Sequence, residues 1–166
     1  MSTNIEIEII KKINENTKDD NFIISPIGIE ILLSLCSNGA EGETQNEILK
    51  FLNYKNLETA NKESKRIINQ FNKNKDILSV ANAILTKEKA KEEFIYTAIT
   101  EYEAKIEELK NYQQVNTWAK NKTKNNIIKI IDSISPNTLM ILLNAIYFEA
   151  LWTKKFDIND NSQKRI

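Results

Sequence analysis

The chain of 166 residues has no histidine, one cysteine, two prolines and three glycines. The absence of histidine removes Ser-His-Asp and Cys-His catalysis and every His-ligated metal site. With Cys36 alone there is no intrachain disulfide, no thiolate zinc cluster and no iron–sulfur centre. The glycines, Gly28, Gly39 and Gly42, fit no phosphate-cradling pattern. Twenty-three basic residues balance 23 acidic ones, so nothing electrostatic points to nucleic acid or an anionic membrane as a partner. No apolar run is long enough to span a bilayer. An enzyme would need a Lys, Ser or carboxylate site of perturbed pKa, and no spacing singles one out. No catalytic residue, metal or cofactor is assigned.

What remains is an ordinary globular balance, 41% apolar and 28% charged, in a length that suits one domain. The opening residues lack the basic-then-apolar order of a secretory signal. With the unpaired cysteine, this favours a cytoplasmic protein, or an extracellular one whose leader was removed or whose export is leaderless. Asn121-Lys122-Thr123 forms a glycosylation sequon of the kind an Asn-rich chain acquires by chance.

Periodicity predicts helix from Ile5 to Ile13, then a polar break. Asn21–Ile24 reads as a short strand, and Ser25 caps a buried helix that starts at Pro26. A sharp connection over 38–42 leads to a helix whose inner face is Ile48, Leu49, Phe51 and Leu52. A polar surface helix follows, with Ile67, Ile68 and Phe71 as its stripe. Residues 76–86 alternate as a strand, 94–102 form a helix, 104–109 a charged strand and 112–124 a surface helix. The nearly unbroken apolar run Leu139–Phe148 predicts a strand covered on both faces at the centre of a large sheet.

Three segments together resemble the serpins, protease inhibitors that work by a conformational trap. They are Asn21-Phe22-Ile23-Ile24-Ser25-Pro26 with Gly39-Ala40-Glu41-Gly42-Glu43-Thr44; Val115-Asn116-Thr117-Trp118 with Thr123 and Ile127; and Leu143-Asn144-Ala145-Ile146-Tyr147-Phe148 with Trp152 and Phe156. The resemblance implies an α+β, serpin-like fold, with N-terminal helices packed on a large mixed β-sheet. Residues 1–166 would be the N-terminal part of one serpin domain, without the reactive-centre loop and the C-terminal strands.

In that family a protease cuts the loop, which inserts as a new strand into the main sheet and traps the enzyme. By resemblance, Ser25, Gly28 and Asn144 match the latch beneath the sheet. Trp152 matches the aromatic where opening starts, and the helix bearing Val115 and Trp118 lies across the sheet front. The plainer alternatives stand beside these: Ser25 caps a helix on any reading, Asn144 serves as a satisfied core amide, Trp152 anchors a core, and Cys36 is an inert buried thiol. Lys62, Lys65 and Arg66 resemble a sulfated-polysaccharide site, but Glu58 and Glu63 among them favour a solvated helix face. Three departures stand out: Gly28 replaces a serine, Asn125-Asn126 a glycine, and Glu149-Ala150 a Lys-Gly pair.

The expected function is therefore a serpin-type serine endopeptidase inhibitor represented by a portion that does not inhibit alone. The alternative is a non-inhibitory, truncated binding or regulatory module. The implied partners are a serine (less often cysteine) protease, the complementary C-terminal half, or a second copy of the chain.

Overall fold

A computed structural model describes the backbone of residues 3–16 and 23–154, and side chains for 7–15 and 23–154. The expected strand residues Asn21 and Phe22, and the motif residue Phe156, lie outside the described residues.

Six helices and three strands follow in the order α1 (Thr3–Asn16), α2 (Pro26–Gly39), α3 (Gly42–Phe51), α4 (Leu57–Phe71), β1 (Leu78–Thr86), α5 (Glu92–Tyr102), β2 (Ala104–Glu108), α6 (Tyr112–Lys122) and β3 (Met140–Phe148). Local chemistry accounts for most boundaries. Ser25 sits in an extended conformation and its Oγ accepts from the Gly28 N–H at 3.3 Å, with Pro26 in the first turn of α2. Asn56 and Asn111 cap α4 and α6 through side-chain bonds to the N–H groups of Thr59 and Gln114, both at 2.9 Å. Gly42 starts α3 at φ +63°, a conformation that costs a glycine little. Asn72, just past α4, accepts from Val80 N–H at 2.9 Å and donates to its C=O at 3.2 Å, occupying the start of β1 as a strand neighbour would.

The described strands form one mixed sheet in the order β2-β1-β3, with β1 parallel to β2 and antiparallel to β3. The central strand is thus β1. The run expected at the centre, β3, pairs with β1 alone among the described residues and lies at an edge. Its nearly continuous apolar character fits packing on both faces, which does not require a strand on each side.

Alternation along the strands sends residues to two separate cores. Val80 and Ile84 face Ile31, Leu35, Ile67, Ile68, Phe94 and Tyr102 of the helical layer. Ala83, Leu85 and Leu143 face Val115, Trp118 and Ala119 of α6. Helix α2 carries the buried stripe of the first core, with Ile31, Ser34 and Leu35 fully buried. Its other side is only half-buried, less than expected of a helix apolar almost all round.

Two further expectations are corrected. Ile23 and Ile24 form no strand; Ile23 is fully exposed and the chain runs directly into the Ser25 cap. Phe51 does not belong to the inner face of α3. It lies two residues beyond Leu49, about 200° around the helix, and is exposed while Leu49 and Leu52 are buried.

Ile84 is fully buried between the helical layer and the sheet, so Ile84→Ala is expected to cost about 2–5 kcal/mol. Ile99→Ala, on the exposed face of α5, should stay within about 0.5 kcal/mol. Urea unfolding of the two variants checks the assigned faces.

Candidate functional site

A strand of apolar residues that carries an asparagine must satisfy its carboxamide or lose stability. This sheet meets that demand twice at one level, because Asn82 of β1 and Asn144 of β3 are register partners. Both side chains fall on the face toward α2. Asn144 Nδ2 donates to Asn82 Oδ1 at 2.8 Å, and Asn82 Nδ2 donates to the Tyr102 C=O at 2.7 Å. Asn82 is only 3% exposed, so this pairing replaces water almost completely.

The level of the amide pair coincides with Gly28 on α2. A Cβ built on Gly28 would stand 2.5 Å from Asn144 Oδ1, inside contact distance. The missing side chain thus lets the helix approach the carboxamide, and the serine typical of the resembled family does not fit this arrangement without displacing Asn144. Ser25 joins through the backbone: its Oγ and its C=O both accept from the Gly28 N–H, at 3.3 and 3.1 Å. Of the residues matched by resemblance, Gly28 lies directly against Asn144, and Ser25 joins Gly28 through the helix cap.

The structure also adds residues that were missed. Tyr102 is fully buried; its O–H donates to Asn61 Oδ1 at 2.6 Å, and Asn38 Nδ2 lies 3.2 Å from its hydroxyl oxygen. Asn38 and Asn61 exchange amide bonds at 2.8 and 3.0 Å, and Asn38 also donates to the Ser34 C=O at 2.8 Å. A polar path therefore runs from β3 through β1 and α5 to the junction of α2 and α4, entirely of neutral groups. Burial pushes the Tyr102 phenol well above its ordinary value, so it stays a donor. The signal for Asn82 was available, since it interrupts an apolar alternation as Asn144 does. Nothing in the sequence marks Asn38, Asn61 or Tyr102.

The other expected residues lie apart from this cluster. Val115 and Trp118 are buried on the opposite face of the sheet, against Ala83, Leu85 and Leu143. Trp152 follows the end of β3 and is 70% exposed, so it anchors no core among the described residues. Cys36 is half-buried and lines an open cleft, rather than being fully enclosed. Of the three basic residues on α4, Lys65 pairs with Glu101 at 3.1 Å. Arg66 meets both oxygens of Glu63, at 2.7 and 2.9 Å. Their charge is largely matched, as a solvated helix face requires. The Thr123 hydroxyl of the sequon is buried and donates to the Ala119 C=O at 2.8 Å.

Comparison with known proteins follows the same lines. The family model described as Serpin (serine protease inhibitor) matches residues 1–165. Glia-derived nexin of Rattus norvegicus is 30% identical over 176 residues, covering 96% of this chain and 43% of that protein. Thyroxine-binding globulin in complex with thyroxine superimposes with a TM-score of 0.83 at 26% identity, over 93% of this chain and 46% of the other. Native protease nexin-1 with heparin gives a TM-score of 0.81 at 25% identity, over 94% and 46%. The chain thus spans less than half the length of the relatives it matches.

Two outcomes test the site. Gly28→Ala displaces the Asn144 carboxamide, and unpairing the amides should cost about 1–3 kcal/mol. The helix-propensity gain of about 1 kcal/mol only partly offsets that. In an Asn144→Ala background the same change should be neutral or stabilising, so a urea double-mutant cycle with additive effects would refute the contact.

The second outcome concerns pH. Tyr102 has a folded-state pKa raised above its unfolded value near 10, so its stabilising contribution is complete below about pH 10 and is lost as pH rises further. Tyr54, raised mainly by burial, acts in the same direction. Alkaline unfolding followed by circular dichroism should be less steep in Tyr102→Phe than in the parent.

Proposed function

Because this chain belongs to the serpin family, whose members are typically serine protease inhibitors rather than proteases, we propose a specific role for it. Residues 1–166 are the N-terminal part of a single serpin domain, and the whole domain inhibits serine endopeptidases, less often cysteine ones, as a suicide substrate. The loop that the protease cuts lies in the complementary C-terminal half, so the chain alone does not inhibit. One observation carries the proposal: β3 offers a long edge that pairs with no other described strand, while its opposite edge is bonded to β1.

Insertion of a strand beside β3 requires the sheet to part there and slide over the helical layer. The Asn82–Asn144 bond keeps β1 and β3 moving together. Ser25 and Gly28 form the helix surface on which the pair rests, with one hydroxyl fewer than the resembled family provides. Helix α6, seated through Val115 and Trp118, yields as the new strand enters. Trp152, past the end of β3, marks the place where opening starts.

A second reading, a binding or regulatory module without inhibition, is favoured by the likeness to thyroxine-binding globulin complexed with thyroxine.

The deciding experiment incubates the chain, and the chain fused to a serpin C-terminal half bearing a reactive-centre loop, with trypsin-, chymotrypsin- and elastase-like enzymes. The chain alone should give no SDS-stable complex, and the fusion should give one. Cleavage of the fusion without a complex supports the binding module and overturns the inhibitor reading. An unpaired apolar edge also invites pairing with a second copy or with the missing half. Size exclusion of the chain alone should therefore show association, and a monomer with a sharp cooperative melt would contradict it.

A further inference from the structure

Just past the end of α6 an ammonium group reaches the sheet. Lys124 Nζ lies 4.4 Å from the centroid of the Tyr147 ring on β3, donates to the Asp76 C=O at 3.2 Å ahead of β1, and stands 3.9 Å from Glu149 Oε2. The Tyr147 hydroxyl bonds the same carboxylate. One side chain thus spans α6, the entry to β1 and the exit of β3.

The backbone beneath it turns through the left-handed region that ends the helix. Lys124 and Asn125 have φ +48° and +69°, consecutive left-handed residues with no glycine between them. Local bonds close this helix end, with Asn125 N–H donating to the Lys120 C=O at 2.8 Å and Asn126 N–H to the Thr123 C=O at 2.9 Å. From there the chain returns along α6, strapped by Thr123 Oγ1 to the Ile127 N–H at 3.0 Å and by Asn116 Oδ1 to the N–H groups of Ile130 and Ile131 at 2.8 and 3.1 Å. At its other end α6 is tied to β2, where Gln114 Nε2 donates to Glu107 Oε2 at 3.1 Å and the Glu108 C=O at 2.9 Å. The polar tie described between α6 and β3, the strand beside which insertion takes place, is the Lys124 group.

We propose that Lys124 is a positioning residue acting as a release catch: its contacts with Tyr147, Asp76 and Glu149 hold α6 and its return segment against the end of β3, and their release lets the helix lift. This rests on the strand-insertion reading above and adds the control point for it. Glu149 adds the carboxylate that attracts the Lys124 ammonium and also accepts from the Tyr147 hydroxyl.

Residue-resolved hydrogen exchange on the full chain tests the catch. Lys124→Met keeps the stem and removes the charge. It should speed exchange of the Asn125, Ile127, Ile130, Ile131 and Glu149 amides roughly tenfold while leaving the Ile31 and Ile67 amides unchanged. Lys124→Arg should restore protection to within about twofold, since guanidinium also stacks on an aromatic ring. Unchanged exchange over 125–131, or an equal rise in α2 and α4, overturns the proposal. If Lys124→Met does not fold, Glu149→Gln carries the test, with a smaller rise in the same segment expected and no rise overturning it. Local exchange of the expected kind, with a fusion that forms no protease complex, would sink the insertion reading and leave the catch standing.

Discussion

The fold turns on a pair of asparagine carboxamides held between a sheet and a helix. Asn82 and Asn144 occupy paired register positions on β1 and β3 and share a hydrogen bond there. Alone, each would bury donors and acceptors that water satisfied in the unfolded chain, at about 1–3 kcal/mol per group left unpaired. Together, and with the Tyr102 carbonyl as final acceptor, they convert a liability into a register lock. A shift of β3 by one residue would turn Asn144 to the α6 face and expose the mismatch at once. Helix α2 must also come close enough to close the site, and Gly28 is where it does so.

The amide pair divides the molecule into two layers that respond differently to motion. On the helical side the cluster continues through Tyr102 to Asn61 and Asn38, so α2, α4 and α5 are linked to each other by directional bonds as well as by packing. On the other side α6 rests on the sheet through apolar contacts of Val115, Trp118 and Ala119, and among the described residues its polar attachments to the sheet lie near its ends. Apolar packing has no directional preference, so a helix seated this way can shift while the bonded layer keeps its geometry. That asymmetry is what a sheet needs if it is to admit another strand on one side.

The element order was legible because the patterns were long. The alternation over 76–86, the stripe of Ile67, Ile68 and Phe71, and the Ser25-Pro26 start of α2 each follow from local chemistry and survive in the structure. Shorter signals failed where a neighbour had to supply the missing half. Ile23 and Ile24 have strand composition, yet they form no strand. Phe51 is apolar, but its angle on α3 turns it outward. Among the described residues β3 is bonded to β1 alone, and its apolar run reports buried faces while staying silent on how many edges are bonded.

The amino-acid order by itself determined the chemistry of this protein: no histidine, one thiol, helices and strands of defined period, and the three segments that mark it as a serpin. The family resemblance suggested Ser25, Gly28 and Asn144 as one cluster. Only the tertiary structure decided what that cluster contains and what it touches. Asn82, Tyr102, Asn61 and Asn38 come from four elements separated by up to 64 positions along the chain. Lys124 reads in sequence as one more solvated lysine. Its meeting with Tyr147, Asp76 and Glu149 depends on how α6 crosses the sheet, and long-range geometry of that kind leaves no periodic trace in the chain that encodes it.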